Sequence, residues 1–244
     1  MWQRNRDVFF RLWKSIAPGF MIEPIILLIA LGYGFGSFMG IIDGREYMEY
    51  IVPGLVGSYA MTTAVFECSY GVYFRMEYRR TYDSILTTPL NVEDIIGGEI
   101  LWGATRSLIT AVIILVVAIM FQLIPSFWAL LVPVVAVIEG IMFASITIVF
   151  TSLVPSVYSF NYFFTLFIAP VTFLSGAFFP LDSLPEVVGT IGSVMPLTPA
   201  VEVIRSLVNG QFESGFVVSV GYLLLLAAIF FWLAVLTMRR RVIE

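Results

Sequence analysis

Residues 75–99, RMEYRRTYDSILTTPLNVEDIIGGE, are a polar island set between two long apolar runs, 51–74 and 100–123. A helix needs roughly 20 apolar residues to cross a 30 Å hydrocarbon core, so each flanking run is long enough to be a span. The island must then emerge on one side of a membrane. The rest of the chain agrees: 59% of its 244 residues are hydrophobic, 12% are charged and the mean hydropathy is +0.96. Those proportions lie outside the range of soluble domains. The sequence therefore predicts an all-α integral membrane protein.

Within the island, Thr81 and Asn91 are each placed to cap a helix, and Asp94 follows Asn91 at nearly capping-box spacing. Pro89 disfavours helical geometry at Thr88. The expected result is a short helix near 82–86, a break at 87–90, and a second short helix from Val92 leading into the next span. Such a rigid, charged knuckle is either a docking element or a solvated connector.

Outward toward the N-terminus, Phe9, Leu12, Trp13 and Ile16 share helical spacing, with Arg4, Asp7, Arg11 and Lys14 opposite them. That pattern predicts an interfacial helix over 1–18, apolar side in the headgroups and basic side toward anionic lipid. A cleaved signal peptide is the alternative, disfavoured because basic residues run through the apolar core. The run 20–38 then spans, with Gly32, Gly36 and Gly40 four apart, a spacing for close helix packing rather than for a pore.

Outward toward the C-terminus, further apolar runs cover 127–153, 158–178 and 216–236, which brings the total to about six transmembrane helices. Residues 179–215 carry Pro180, Pro185, Pro196 and Pro199, too broken to span and too apolar to be a solvated loop. Short re-entrant helices shielded by protein are expected there. Arg4, Arg6, Arg11, Lys14, Arg75, Arg79, Arg80 and Arg239 to Arg241 fall on one side of the alternating topology, and Arg45 and Arg205 on the other. Basic residues favour the cytoplasmic side, which places both termini and the island in the cytoplasm and 179–215 outside it. No repeat is visible, so 1–244 reads as one transmembrane domain.

Composition removes whole classes of chemistry. The chain has no His, a single Cys68 inside an apolar run, and no GxxxxGK[ST] phosphate loop. Imidazole catalysis, an intrachain disulfide, a His- or Cys-based metal site and P-loop ATP hydrolysis are all excluded. The charges are scattered between apolar runs and do not form a nucleic-acid-binding face.

The run RTYDSILTTPLNVEDIIGGEILWGATRS at 80–107, with FLSGAFFPLDSLP at 173–185 and MPLTPAVEVIRSL at 195–207, resembles the ABC type-2 transporter permeases. Within them it is most similar to permeases that export lipo-oligosaccharide nodulation factors, and more broadly to drug and polysaccharide exporter subunits. The resemblance covers essentially the whole chain. It implies a half-transporter in the bacterial cytoplasmic (inner) membrane that pairs with a second permease copy, most simply as a homodimer, and with two separate ABC ATP-binding subunits. ATP and Mg would be bound by those subunits and not by this chain. The 81–97 segment would be the cytoplasmic coupling helix that rests on the ATPase. Its motif matches are Arg80, Thr81, Asp83, Leu86, Thr88, Pro89, Glu93, Asp94, Gly98 and Glu99, none of them catalytic. The second and fifth spans of the family form most of the dimer interface and translocation path, which would place Phe160, Phe163, Phe164 and Phe167 there. Plain core packing explains the same rings without any substrate.

Ionisable groups inside spans each cost about 2.5–3.5 kcal/mol at a helix centre and so demand a reason. Glu67 and Arg106 fall at similar depth in neighbouring spans, where they either pair or, respectively, sit protonated and snorkel to the headgroups. Glu139 lies mid-span, lining a path or packed neutral against a helix, and Glu23 lies near an interface. The rival to an ATP-driven exporter is a stand-alone channel or secondary transporter using Glu67, Arg106 and Glu139 as a proton route. A membrane-embedded enzyme is disfavoured because no nucleophile-base spacing is visible.

Overall fold

The computed structural model describes residues 1–42, 44–212 and 214–243. Backbone groups in hydrocarbon have no water to bond, so apolar stretches of this length close their hydrogen bonds within helices. Among the described residues, four helices are long and apolar enough to cross a membrane: Tyr47–Tyr78, Val92–Met120, Phe127–Leu153 and Phe216–Val242. A fifth candidate is the pair Glu186–Ser193 and Thr198–Asn209, bent by 82° where they meet. The one sheet among the described residues is a two-stranded hairpin, with Ile41 opposite Glu46 and Ile42 opposite Arg45.

The Tyr47–Tyr78 helix forms the centre. Of its apolar stretch, 78% is buried inside the chain, against 11% for the Phe216–Val242 helix at the periphery. Around it pack Val92–Met120 and Phe127–Leu153, with Ile51, Leu55, Met61, Ile114 and Phe143 wholly or almost wholly buried between them. The C-terminal helix lies along Phe127–Leu153. It is fastened there by Arg241, which donates to the carbonyls of Thr151 and Val154 at 2.7 Å each and to Glu77 at 2.7 Å. These bonds satisfy carbonyls at the end of Phe127–Leu153 that have no intrahelical partner.

Several expectations change. The segment read as an interfacial helix and the first apolar run are continuous: helical hydrogen bonding runs from Trp2–Ile29 through a π-helical stretch, Ala30–Phe35, into Gly36–Met39. Pro18 and Pro24 lie inside this helix. Of the Phe9, Leu12, Trp13, Ile16 stripe expected in the headgroups, Phe9 turns to the protein instead. Phe9 is buried, Leu12 and Trp13 are each 49% exposed, and the side chain of Ile16 lies outside the described residues. The inward face runs through Trp2, Asn5 and Phe9, because the indole and the amide find hydrogen-bond partners on the Val92–Met120 helix. Of the three spaced glycines only Gly32 is packed, against Met48; Gly36 faces open space and Gly40 lies beyond the helix end. The wider π-helical turn takes residues four apart off a common face.

In the island, Thr81–Leu86 forms the first short helix, and Val92 opens a helix that runs unbroken to Met120. The capping box between Asn91 and Asp94 is present. Thr81 is not the cap. That position belongs to Arg80, whose left-handed backbone (φ 46°, ψ 37°) turns the chain sharply out of the central helix. The run 158–178 forms a shorter helix than expected, Ser159–Leu174 with a π-helical stretch at Phe164–Ile168. It ends in a turn that needs Gly176 at φ +73°, a conformation side chains resist.

Candidate functional site

The polar island folds into a two-sided element. Tyr82, Val92, Ile95, Ile96 and Glu99 point into the bundle and are buried, whereas Arg80, Asp83, Thr88, Pro89, Glu93 and Asp94 are exposed. Thr81 and Leu86 lie half-buried between the two sides, and Gly98 is buried. Thr87 and Thr88 fold their hydroxyls onto the carbonyls of Ser84 and Ile85, which closes the end of the short helix. The outward surface is therefore rigid as well as charged, and it carries Leu90 at 45% exposure between its polar groups.

Beneath that surface lies Glu99, 1% exposed and held by three side chains. Arg75 grips it in a two-pronged contact, Nε to Oε1 at 2.9 Å and Nη2 to Oε2 at 2.8 Å. The Tyr82 hydroxyl donates to Oε1 at 3.1 Å and the Asn5 amide to Oε2 at 2.8 Å. The remaining prong of Arg75 reaches Glu67 Oε1 at 2.9 Å. A buried carboxylate is tolerated only where donors and a counter-charge replace its water, and Glu99 has both. Burial pushes the Tyr82 phenol well above its ordinary range and the Glu99 carboxylate pushes it further, so Tyr82 stays protonated and donates.

This cluster ties together the N-terminal helix, the central helix, the short island helix and the start of Val92–Met120. Gly71 makes room for it. A Cβ there would lie 2.9 Å from Glu67 Oε1 and 3.2 Å from the Arg75 guanidinium. Gly98 likewise admits the start of the chain, since its Cβ would fall 2.6 Å from that of Met1.

The intramembrane groups sort differently from the sequence expectation. Glu67 pairs with Arg75 and not with Arg106. Arg106 instead lies over the Phe9 ring, 4.8 Å from its centroid, because the N-terminal helix packs against this side of Val92–Met120. Glu139 is wholly buried, and neither carboxyl oxygen has a hydrogen-bond partner among the described residues. Phe160 and Phe163 are core residues: Phe160 sits among Tyr70, Tyr73 and Phe150, and Phe163 stacks on Phe150 at 4.4 Å. Phe164 and Phe167 are half-buried, and the exposed residues of that helix include Tyr162, Leu166 and Phe173.

Sequence reasoning singled out Glu99 but missed the partners that make it a hub. From sequence Arg75 is only a topology marker, and nothing singles out Tyr82 or Asn5. A faint signal existed in Gly71, four residues from each member of the Glu67–Arg75 pair. Asn5 and Tyr82 had none, because their meeting at Glu99 joins segments 94 and 17 residues away in sequence.

Residues 1–209 match the family described as ABC-2 type transporter. The chain is 37% identical to Nodulation protein J of Rhizobium leguminosarum bv. trifolii and 33% identical to Nodulation protein J of Sinorhizobium fredii. Each alignment covers all of this chain and 93% of the relative. It is also 23% identical to the inner membrane transport permease YadH of Escherichia coli, over 76% of this chain and 72% of that protein. With its bundle of membrane-spanning helices and a family match over most of its length, the chain belongs to the ABC-2 type transporter family as a transport permease.

Proposed function

We propose that this chain is the permease subunit of an ATP-driven exporter in the bacterial inner membrane and moves an amphipathic substrate outward. About six spans would cross the bilayer, counting the apolar helices Ile22–Phe35 and Ser159–Leu174 with the four longer ones, and both termini would be cytoplasmic. Two ABC ATP-binding subunits would dock on the exposed side of the island, through Arg80, Asp83, Thr88, Pro89, Glu93 and Asp94. ATP and Mg would be theirs. A second copy of the chain would complete the path, with Phe164, Phe167 and their exposed neighbours at the interface. The relatives called Nodulation protein J favour a lipo-oligosaccharide or other glycolipid as cargo, ahead of a hydrophobic drug.

The observation that carries this reading is the Glu99 cluster. A force applied to the short island helix passes through Tyr82 to Glu99, and from there by Arg75 into the central helix and by Asn5 into the N-terminal helix. A solvated connector needs no such anchorage. The proton-route alternative loses ground, because Glu67 is held by Arg75 and Arg106 is stacked on Phe9.

The test is a pull-down of the tagged chain from its native membranes in mild detergent, beside a variant carrying Asp83→Arg and Glu93→Arg. Both positions are exposed and Glu93 gives up only a solvent-screened pair with Arg239 at 3.4 Å, so the variant keeps its fold. A nucleotide-binding ATPase recovered with the unaltered chain and lost from the variant is the expected result. Absence of any ATPase after crosslinking, or export abolished by a proton uncoupler at normal ATP, would sink the reading.

A further inference from the structure

At the end of the central helix opposite Glu99, the structure forms a half-open cavity of about 420 Å³, within the size range of small-molecule sites. Its walls come from the 41–46 hairpin, the 175–182 turn, the Thr198–Asn209 helix and the start of the C-terminal helix. The two arginines that the topology sets apart from all other basic residues, Arg45 and Arg205, both line it. So do Asp182, Glu202, Asn209 and Gln211.

These charges are not spent on one another. Among the described residues no ion pair joins either arginine to either carboxylate. Arg205 is fixed in place: one Nη donates to the Gly176 carbonyl at 2.8 Å, and its guanidinium stacks 4.3 Å above the Tyr50 ring. Glu202 is fixed by the Ser219 hydroxyl at 2.6 Å, which leaves its other oxygen uncommitted. Arg45, Asp182, Asn209 and Gln211 make no side-chain hydrogen bond to any described residue. Opposite charges that share one cavity and stay apart leave donors and acceptors facing the same space.

The lining decides what can fill that space. An arginine only donates and a carboxylate only accepts, so the occupant must accept from one wall and donate to the other. A simple anion meets Asp182 and Glu202, and a simple cation meets Arg45 and Arg205. An apolar molecule would strip water from all four charges without replacing its hydrogen bonds. Hydroxyl groups donate and accept at once, and a molecule bearing many of them satisfies both walls without net charge.

We propose that this cavity is a binding site for a neutral, polyhydroxylated group, the saccharide portion of the cargo, at the outward end of the chain. This deepens the exporter reading and rests on it for the direction of transport. An outward-facing polar site gives the cargo's hydrophilic part a place to arrive before release, while its apolar part is still in the bilayer.

The experiment uses the full chain in lipid nanodiscs without nucleotide, with cellotriose as the probe in saturation-transfer NMR and inorganic phosphate and tetramethylammonium as competitors. Cellotriose should bind saturably and resist both competitors. A variant carrying Arg45→Ala and Asp182→Ala should weaken it about tenfold, the loss of two hydrogen bonds worth about 0.7 kcal/mol each. Asp182 is exposed and the Arg45 side chain bonds to no described residue, so this variant should elute and melt as the unaltered chain does. Absent cellotriose binding, binding undiminished in the variant, or displacement by phosphate would each overturn the site. Binding is read here without an ATPase, so its failure leaves the coupling reading standing. Failure of the pull-down leaves the site standing.

Discussion

The two ends of the central helix handle charge in opposite ways. At one end, Arg75, Glu67 and Glu99 close on each other at 2.8–2.9 Å, and Tyr82 and Asn5 take up the remaining carboxylate lone pairs. At the other, Arg45, Arg205, Asp182 and Glu202 surround a cavity without pairing. Satisfied charges at low dielectric act as a rivet that fixes helices relative to one another. Unsatisfied ones face water until something replaces it. One end is built to transmit and the other to bind.

The comparison breaks hardest at Arg75. Arg75→Ala leaves Glu99 buried without its counter-charge, and losing one partner of a buried pair costs about 3–5 kcal/mol. The variant should lose most of its folded yield in detergent, read by thermal unfolding. Pairing it with Glu99→Leu should restore much of that yield, because the deeper of the two carboxylates that Arg75 holds is then gone and only the less buried Glu67 lacks its partner. Equal yields for the single and double variants would show that packing and not charge holds this end together.

Gly71→Ala is the next probe. It leaves every charge in place and intrudes on the gap that Arg75 uses to reach Glu67, at a cost of about 1–3 kcal/mol for overpacking. A melting temperature unchanged by the substitution would mean that the pair re-forms around the methyl group.

Tyr82→Phe is gentler still. It removes one hydrogen bond to Glu99, about 1 kcal/mol of stability, and leaves the ring in place. The sharper expectation concerns coupling: ATP hydrolysis by the reconstituted complex should persist while transport per ATP falls. Transport and hydrolysis falling together would count against Tyr82 as the link.

The smallest effect belongs to the opposite end. Asp182→Ala and Arg45→Ala, taken singly, should shift stability by no more than about 0.5 kcal/mol, because neither side chain is committed to the fold. A larger loss in either would show that the rim is structural and the two ends are alike after all.

The island illustrates how far sequence reading reaches. Its helix, break and restart at Val92 follow from Pro89, Asn91 and Asp94, all local causes. Arg80 in place of Thr81 as the cap was not legible, since a left-handed non-glycine residue follows from the geometry of the corner rather than from its own preference. Glu67 and Arg106 looked paired because they share a depth. Depth does not tell which way a side chain points around a helix, and the N-terminal helix that covers Arg106 with Phe9 is invisible to any span count.

Sequence alone determined the membrane-embedded helical class, the placement of the longer apolar helices, the lack of a P-loop and the family. Each depends on composition or on patterns within a few turns, where the physics is local burial and backbone hydrogen bonding. Tertiary structure alone decided that Glu99 gathers Asn5, Arg75 and Tyr82, that Glu67 belongs to Arg75, and that Arg45 and Arg205 open onto one cavity. Those facts depend on rotation about helix axes and on contacts between distant segments. A hydrogen bond forms only within about 3 Å and in one direction, so nothing short of the assembled bundle selects its partners.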